Sequence, residues 1–253
     1  MRRIFSPLIL LTLCACTVIA QGSSVADNTA KSKYQNRQYR FTSYKLANGL
    51  RVVLAPDDTQ TGVAVNVSFD AGSRVESHEQ AGLAVLLQRI VLQNLRQSQT
   101  SETVGILKPF EGVVNQERAS YFSELTAGQL DFILSLLARQ INAPNITQTS
   151  IDEQRLAILN ECRQLDDSRF GRVQEVLLGL IYKDFAHKYG AICSLPNLNH
   201  LSLERAKSFL KTYYVPNNAV IAVAGNFKEN DAKKIVAKPF GAMRRQKTPS
   251  RKV

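Results

Sequence analysis

The sequence predicts an α+β domain in which a mostly antiparallel sheet is covered by helices. Two observations lead to this prediction. Short β-prone runs with a hairpin signal open the folded part of the chain, and longer apolar segments with helical spacing follow them. A last β-prone run near the C-terminus returns the chain to the sheet. Strands grouped together and helices grouped together are typical of this class.

The first strands are predicted at 41–46, 50–54 and 63–69. Asn48-Gly49 lies between the first two and is a strong signal for a two-residue hairpin turn. Pro56-Asp57-Asp58 ends the second strand. We therefore expect an antiparallel meander at the start of the domain. Two more strands are predicted at 113–117 and 119–125, and a last one follows the tight turn at Pro216-Asn217-Asn218.

Helices are predicted between and after these strands. Their ranges are about 78–95, a segment from Ser101 to Phe110, 129–141, a segment around 151–161, 173–185, a segment capped by Ser202 that runs to Tyr213, and 229–237. The helix at 129–141 is supported by apolar residues at helical spacing: Leu130, Ile133, Leu134, Leu137 and Ile141.

Length, composition and charge limit the possible functions. The 253 residues are enough for one good-sized domain or two small lobes, and 44% hydrophobic with 21% charged residues is ordinary for a globular protein. The formal charge of +11 is compatible with nucleic acid or acidic lipid as partners. The chain lacks the interleaved aromatic and basic residues of an RNA-binding sheet and begins with an export signal, so we expect no nucleic-acid partner.

Residues 1–20 have the pattern of a signal peptide, with basic Arg2 and Arg3, an apolar run and a small-residue cleavage site before Gln21. We expect export to the periplasm or the secretory space. Two alternatives stay open: lipidation of Cys16, because Leu13-Cys14-Ala15-Cys16 resembles a bacterial lipobox, and an uncleaved anchor. Residues 21–38 are predicted to be a flexible lead-in, 39–240 the domain and 241–253 a basic tail or a truncated linker.

Only Cys162 and Cys193 remain after removal of the export segment. They could pair in an oxidising compartment, or both could be buried thiols. Two histidines, His78 and His187, are expected on the surface and in a loop rather than in a catalytic site.

Three motifs together resemble peptidase family M16, which includes insulinase, pitrilysin and mitochondrial processing peptidase. They are the strand pair 46–54, the turn Ala71-Gly72-Ser73-Arg74-Val75-Glu76 and the helix start Ala81-Gly82-Leu83-Ala84, and both their order and their spacing fit the family. The segment 214–227 resembles a later family motif. The resemblance covers about residues 41–240 and implies a single N-terminal-type M16 domain with the LuxS/MPP-like metallohydrolase fold.

The resemblance also identifies where the family carries its inverted zinc motif, H-x-x-E-H. In the family the two histidines bind zinc and the glutamate is the general base. Val85, Gln88 and Arg89 occupy these positions here. Val85 offers no lone pair, Arg89 is permanently cationic, and Gln88 cannot accept a proton. Glu161 matches the family's third ligand, so one metal ligand of three remains and we expect no zinc cofactor.

Two hypotheses follow for the remaining charged residues. Arg89 and Glu161 could form an ion pair that replaces the metal as a cross-link between two helices, and a buried pair of this kind would cost roughly 3–5 kcal/mol when broken. Alternatively, both charges could simply be solvated. Gln154 lies where many active members have a second glutamate.

The family also binds substrate along a strand edge, and Gly112, Asn115, Ser120 and Phe122 match that region by resemblance. We expect Asn115, Ser120 and Phe122 to form a peptide-binding edge, because a strand edge can bind an extended peptide without a metal. The alternative for Asn115 is that it only holds a turn.

These features predict a catalytically inactive M16 homologue. Its expected role is that of a noncatalytic subunit that partners an active M16 protein or a second M16-type domain, or that binds an extended peptide. The alternatives are an active M16 zinc metalloendopeptidase with an altered site, and an envelope scaffold or lipoprotein.

Overall fold

A computed structural model describes residues 40–77, 79–98, 110–168, 170–171, 173–181, 198–199 and 201–248. The predicted signal peptide with Cys16, the lead-in, His78, His187 and the helix predicted to begin at Ser101 lie outside these residues. The described part of the chain belongs to one compact unit.

Within the described residues, the sheet contains six strands: β1 (Thr42–Lys45), β2 (Arg51–Pro56), β3 (Gly62–Phe69), β4 (Glu111–Val114), β5 (Ala119–Thr126) and β6 (Ala219–Gly225). The described helices are α1 (Leu83–Gln97), α2 (Leu130–Asn142), α3 (Gln148–Asp167), α4 (Val173–Ile181), α5 (Leu203–Tyr213) and α6 (Glu229–Gly241). The α+β class is therefore confirmed.

The described strands have the order β1-β2-β6-β3-β5-β4, and among them only the β2–β6 pair is parallel. The expected meander is correct for β1 and β2 but wrong for β3, because β6 inserts between β2 and β3. The reason is visible in β6, whose sequence AVIAVAG is apolar throughout and pairs with a neighbour along both of its edges. A strand of this kind belongs in the interior of a sheet, whatever its position in the chain.

A hairpin forms at Asn48-Gly49 as the sequence predicts, but its loop has three residues, Ala47 to Gly49, instead of the expected two, because Gly49 takes the left-handed position that follows a turn over Ala47 and Asn48. Gly49 has a φ of 90°, its N–H donates to the Leu46 carbonyl at 2.8 Å, and the Leu46 N–H donates to the Leu50 carbonyl at 2.9 Å. Asn48 also contacts the C-terminal segment of the domain, where its side-chain amide donates to the carbonyls of Phe240 and Met243 at 2.7 and 3.0 Å.

One face of the sheet packs against the helices and forms the core. Residues on β3 and β5 alternate between buried and partly exposed positions, as expected for a sheet with one covered face. The largest fully buried side chains include Tyr121, Phe69, Phe110, Phe209 and Phe240. The opposite sheet face, here called the open face, has no fully buried residue on β3 or β5.

The C-terminal end of the domain is longer than predicted. Helix α6 runs to Gly241 although Pro239 lies inside it, and Met243 beyond it is only 7% exposed. The backbone of Gln246 is held by the Asn217 side chain through two hydrogen bonds of 2.9 and 3.1 Å. The first residues of the predicted basic tail are therefore packed against the domain.

Cys162 on α3 is 8% exposed and disulfide-bonded. The alternative of two buried free thiols is therefore wrong for Cys162. Cys193 lies outside the described residues. Within those residues, no helix combines the length and the apolar character needed to cross a bilayer.

Candidate functional site

Helix α1 is positioned by Glu76, which lies seven residues before the helix. The helix was expected to start near residue 78, but it starts at Leu83, after Gly82 in a left-handed conformation with a φ of 92°. Gly82 offers no side chain to cap the helix. The Glu76 carboxylate takes this role and accepts hydrogen bonds from the N–H groups of Gly82 and Ala84 at 2.9 and 2.6 Å.

The environment of the Glu76 carboxylate is strongly desolvated. Burial raises the pKa of Glu76 to about 7, although the two backbone N–H groups act in the opposite direction. The family-like turn A-G-S-R-x-E thus has a physical role in this chain, since its last residue fixes the start of α1. Sequence reasoning identified the motif but not this contact.

Val85 and Gln88 point toward the body of the domain. Val85 is partly buried and packs against the core. Gln88 is 6% exposed, and its amide lies against Gly112 on β4, where an added Cβ atom would come within 2.0 Å of Gln88 Nε2. Gln88, which the resemblance predicts at the general-base position, is therefore a packed contact between α1 and the sheet.

Arg89 and Glu161 form a bidentate ion pair between α1 and α3. Arg89 Nη1 donates to Glu161 Oε1 at 2.7 Å, and Arg89 Nη2 donates to Oε2 at 2.6 Å. The hydrogen bond from Arg89 lowers the pKa of the Glu161 carboxyl. The pairing hypothesis is confirmed, but the pair is not buried, because the two side chains are 26% and 54% exposed. The larger energy expected for a buried pair does not apply.

A second contact joins the same two helices one helical turn further along α1. Gln154 Nε2 donates to Gln93 Oε1 at 2.9 Å. Position 93 is one helical turn after Arg89, and position 154 lies two turns before Glu161, so the helices run antiparallel here. The two helices that are predicted to carry the vestigial metal positions are thus joined in this chain by two side-chain pairs.

The side chains at the predicted ligand positions do not fit a zinc ion. The Glu161 carboxylate is engaged on both oxygens by a guanidinium, which is a cation and has no lone pair to offer. Val85 adds no ligand atom, and zinc sites in proteins use about three or four N, O or S ligands. Across the described ranges, no group of three or more His, Cys, Asp or Glu side chains could hold a metal ion.

Asn115 holds the turn between β4 and β5. Its side-chain oxygen accepts from the N–H groups of Glu117 and Arg118 at 2.9 and 2.8 Å. The Asn115 carbonyl accepts from the Ser73 N–H at 3.2 Å, which joins this turn to the segment before α1. The alternative role given to Asn115, that of a turn residue, is thus what the contacts support.

Ser120 and Phe122 are not at a sheet edge. Both lie in the part of β5 that pairs with β3 on one side and with β4 on the other, so at these two positions the main-chain groups are used within the sheet. The expectation that they form the peptide-binding edge is wrong in this respect. Among the described strands, the edge on this side of the sheet is β4, and its Val113 side chain is 52% exposed.

Ser120 contributes instead to a cavity of about 430 Å³ on the open face. The cavity is polar and includes Asn66, Ser68, Asn115, Ser120, Arg51 and Arg118 among its lining residues. The Ser68 hydroxyl lies 2.8 Å from the Ser120 hydroxyl and donates to Asn66 Oδ1 at 2.6 Å. Two of the three predicted peptide-binding residues, Asn115 and Ser120, therefore meet at one cavity, and Phe122 does not line it.

Comparison with known proteins supports the family that the sequence motifs indicated. The family model for insulinase (peptidase family M16) matches residues 51–194, more than half of the chain. A second model, the peptidase M16 inactive domain, matches residues 200–253.

Two relatives illustrate the similarity. The zinc protease PqqE of Helicobacter pylori is 26% identical over 246 residues, which cover 95% of this chain and 54% of the relative. Mitochondrial-processing peptidase subunit alpha-1 of Dictyostelium discoideum is 25% identical over 226 residues, covering 87% of this chain and 34% of the relative. The chain thus spans about half, or less, of the length of these proteins.

Solved structures show the same fold. A protease from Helicobacter pylori has a TM-score of 0.73 at 21% identity, with 84% of this chain and 52% of that chain covered. The first half of the periplasmic protease PqqL from Escherichia coli has a TM-score of 0.69 at 16% identity, with 84% and 48% covered. The expected M16-type fold is therefore confirmed.

Proposed function

This chain belongs to peptidase family M16, and from that premise we propose that it is a noncatalytic member that pairs with an active M16 homologue or with a second M16-type domain. The observation that carries the proposal is the bidentate Arg89–Glu161 pair, which takes both oxygens of the one carboxylate at a family ligand position. The match of residues 200–253 to the M16 inactive domain supports the same proposal.

The chemical argument concerns charge as well as geometry. A guanidinium at the second ligand position repels a divalent cation, and a carboxamide at the general-base position takes no proton from water. Moving Gln88 toward α3 would also leave a gap beside Gly112, against which its amide now packs. Hydrolysis by the family mechanism therefore requires changes at three positions at once.

An apolar stripe on α4 supports the pairing role. Val173, Val176, Leu177, Leu180 and Ile181 follow helical spacing and are between 54% and 80% exposed. Phe170, just before the helix, is 72% exposed. A contiguous apolar surface of this kind marks an interaction site in soluble proteins. The occupant we propose is a second M16-type domain, because the chain spans about half the length of its relatives.

We also propose that the edge of β4 binds an extended peptide, and that the mature protein acts outside the cytoplasm. The main-chain groups of an edge strand supply hydrogen bonds without any metal. The export-type sequence of residues 1–20 supports the location, as does the similarity to a protease described as periplasmic.

The first test measures zinc in the purified protein and in the variant Val85→His/Gln88→Glu/Arg89→His. We expect no stoichiometric zinc in the parent and metal binding in the triple variant, because Glu161 then gains two imidazole partners. The single variant Val85→His is the control and should stay metal-free. Stoichiometric zinc in the parent, with peptide hydrolysis that a chelator stops, would instead support an active zinc metalloendopeptidase.

The second test is purification of the tagged full-length protein from its own cells, with partners identified by mass spectrometry. An M16 homologue in the complex supports the pairing role. Leu177→Glu/Leu180→Glu should release it, whereas Val113→Glu, at an exposed apolar residue on β4, should not. Recovery of no M16 protein would favour an envelope scaffold.

A further inference from the structure

A second cavity has a volume of about 460 Å³. It is formed by the end of α2, by α5 and by the segment 242–246, together with the turn that follows α5. Its volume is within the usual range for small-molecule sites in proteins, roughly 300–1,000 Å³. None of the residues discussed above for the metal positions or the peptide edge lines it.

The floor of this cavity is apolar. Ile141, Ile146, Leu210, Val215 and Met243 line it, and each of these residues is at most 9% exposed. A floor of buried aliphatic groups favours a hydrocarbon chain over water.

The rim of the cavity is cationic. Lys207 and Lys211 on α5 line it together with Arg244, and none of its described lining residues is acidic. Within the described part of the chain, none of the three forms an ion pair with a carboxylate. Lys207 and Lys211 are four residues apart on one helix, where like charges repel each other. An anion bound between them would relieve this repulsion.

The wall that carries Arg244 is fixed in place. Asn48 holds the carbonyls of Phe240 and Met243, and Asn217 holds both backbone groups of Gln246. Two side-chain amides from two different turns thus position the segment that closes the cavity. A preformed wall lowers the entropic cost of binding.

We propose that this cavity binds a single-chain amphiphile with an anionic head group. The alkyl chain lies on the aliphatic floor, and the head group accepts hydrogen bonds from Lys207, Lys211 and Arg244 at the rim. Charge-assisted bonds of this kind are stronger than neutral ones and make the head-group charge decisive for affinity. The site does not depend on the proposed pairing or peptide-binding function.

The experiment is isothermal titration calorimetry of the full chain with decanoate, decyl phosphate and decanol, each below its aggregation limit. We expect saturable binding of one anion per chain, with decanol weaker by at least about tenfold. The relative affinities of decanoate and decyl phosphate identify whether the head group is a carboxylate or a phosphate. Equal binding of decanol, or no saturable binding of either anion, would overturn the proposal.

Matched variants locate the binding to the cavity. Lys207→Glu/Lys211→Glu should weaken anion binding by about tenfold or more, and Ala242→Trp should weaken it by filling the cavity from an exposed lining position. Lys234→Glu changes an exposed lysine on α6 outside the cavity and should leave affinity within about twofold. Circular dichroism checks that each variant is folded. Unchanged affinity in the folded double variant would assign binding to another surface and reject the site.

Discussion

The amide of Gln88 packs directly against Gly112, so that a Cβ atom at position 112 would lie 2.0 Å from Gln88 Nε2. This contact joins the general-base position of the family motif to the strand at the sheet edge. It also explains why β4 carries a glycine there, because any larger residue would displace a side chain that is only 6% exposed. The side chain that the sequence predicts at the general-base position therefore contributes to packing in this chain.

Gly112→Ala should therefore destabilise the domain by roughly 1–3 kcal/mol, because overpacking forces the neighbouring side chain from its place. Urea denaturation measures the effect. Gly241→Ala is the control, since a Cβ there meets nothing within 4 Å, and it should change stability little. The double variant Gly112→Ala/Gln88→Ala should lose less than the sum of its single changes; strict additivity would contradict the contact.

The Arg89–Glu161 pair should contribute about 0.2–1 kcal/mol, because it is partly exposed and solvent screens it. Glu161→Ala leaves Arg89 without its partner, while Glu161→Ala/Arg89→Met removes both charges and keeps an aliphatic side chain on α1. We expect the single variant to be less stable than the double variant in chemical denaturation. Glu153→Ala, an exposed residue of the same helix, is the control. Equal losses in the two variants would show that the pair does not cross-link the helices.

The same pair predicts a pH dependence at acid pH. The pKa of Glu161 is lowered in the folded protein, so its contribution to stability is present above the ordinary carboxyl pKa of about 4.5 and is lost as the pH falls below it. The free energy of unfolding of the parent should fall more steeply below pH 4.5 than that of Glu161→Gln. Identical slopes for the two proteins in this range would contradict the assignment.

Glu76 should make the domain less stable as the pH rises toward neutral, which is the opposite direction to the effect of Glu161. Its pKa is raised to about 7, so its contribution to stability is present below about 4.5 and is lost as the pH rises through 7. Glu76→Gln removes the buried charge but has one oxygen, so it can accept from only one of the N–H groups of Gly82 and Ala84, which now use both carboxylate oxygens. We expect the stability of the parent to fall relative to that of Glu76→Gln by roughly 1–3 kcal/mol between pH 4 and pH 8.

Thermal unfolding from pH 4 to pH 8 measures this difference, with Glu153→Gln as the control for an exposed carboxylate. The stability of the parent should decline between pH 5 and pH 8, whereas Glu76→Gln should be nearly constant. A variant that keeps the parent's slope would show that another group titrates in this range.

The β4 edge offers a specific test of peptide binding. The Asn115 N–H points toward the β5 side of the turn and donates to the carbonyl of Arg118, the residue before β5, at 3.0 Å. Because such groups alternate along an antiparallel strand, the Val114 N–H points away from β5. Val114→Pro should remove this outward donor without breaking the β4–β5 ladder. Fluorescence polarisation with labelled extended peptides should show binding by the parent and by the control Val114→Ala, and loss in Val114→Pro. Equal binding by all three proteins would exclude the β4 edge as the peptide-binding site.

Much of the fold could be predicted from local patterns. The hairpin at Asn48-Gly49, the strand alternation of β3 and β5, and the apolar spacing of α2 are set by neighbours in sequence. The insertion of β6 between β2 and β3 could not be predicted in the same way, because β2 and β6 lie near opposite ends of the domain's sequence even though they are neighbours in the sheet. The start of α1 was also misplaced, since its cap is the side chain of Glu76 rather than a residue at the helix end.

By itself, the sequence indicated the family, and it predicted that residues unable to bind zinc or accept a proton occupy the positions of the family's zinc motif, because residue type alone decides this chemistry. It also suggested the partnership of Arg89 with Glu161, by analogy with the family. The tertiary structure decided that this pair is partly exposed, that Gln88 packs on Gly112, and that β4 rather than β5 lies at the sheet edge. Burial, edge position and cavity walls are set by contacts between segments distant in the chain, which no local pattern contains.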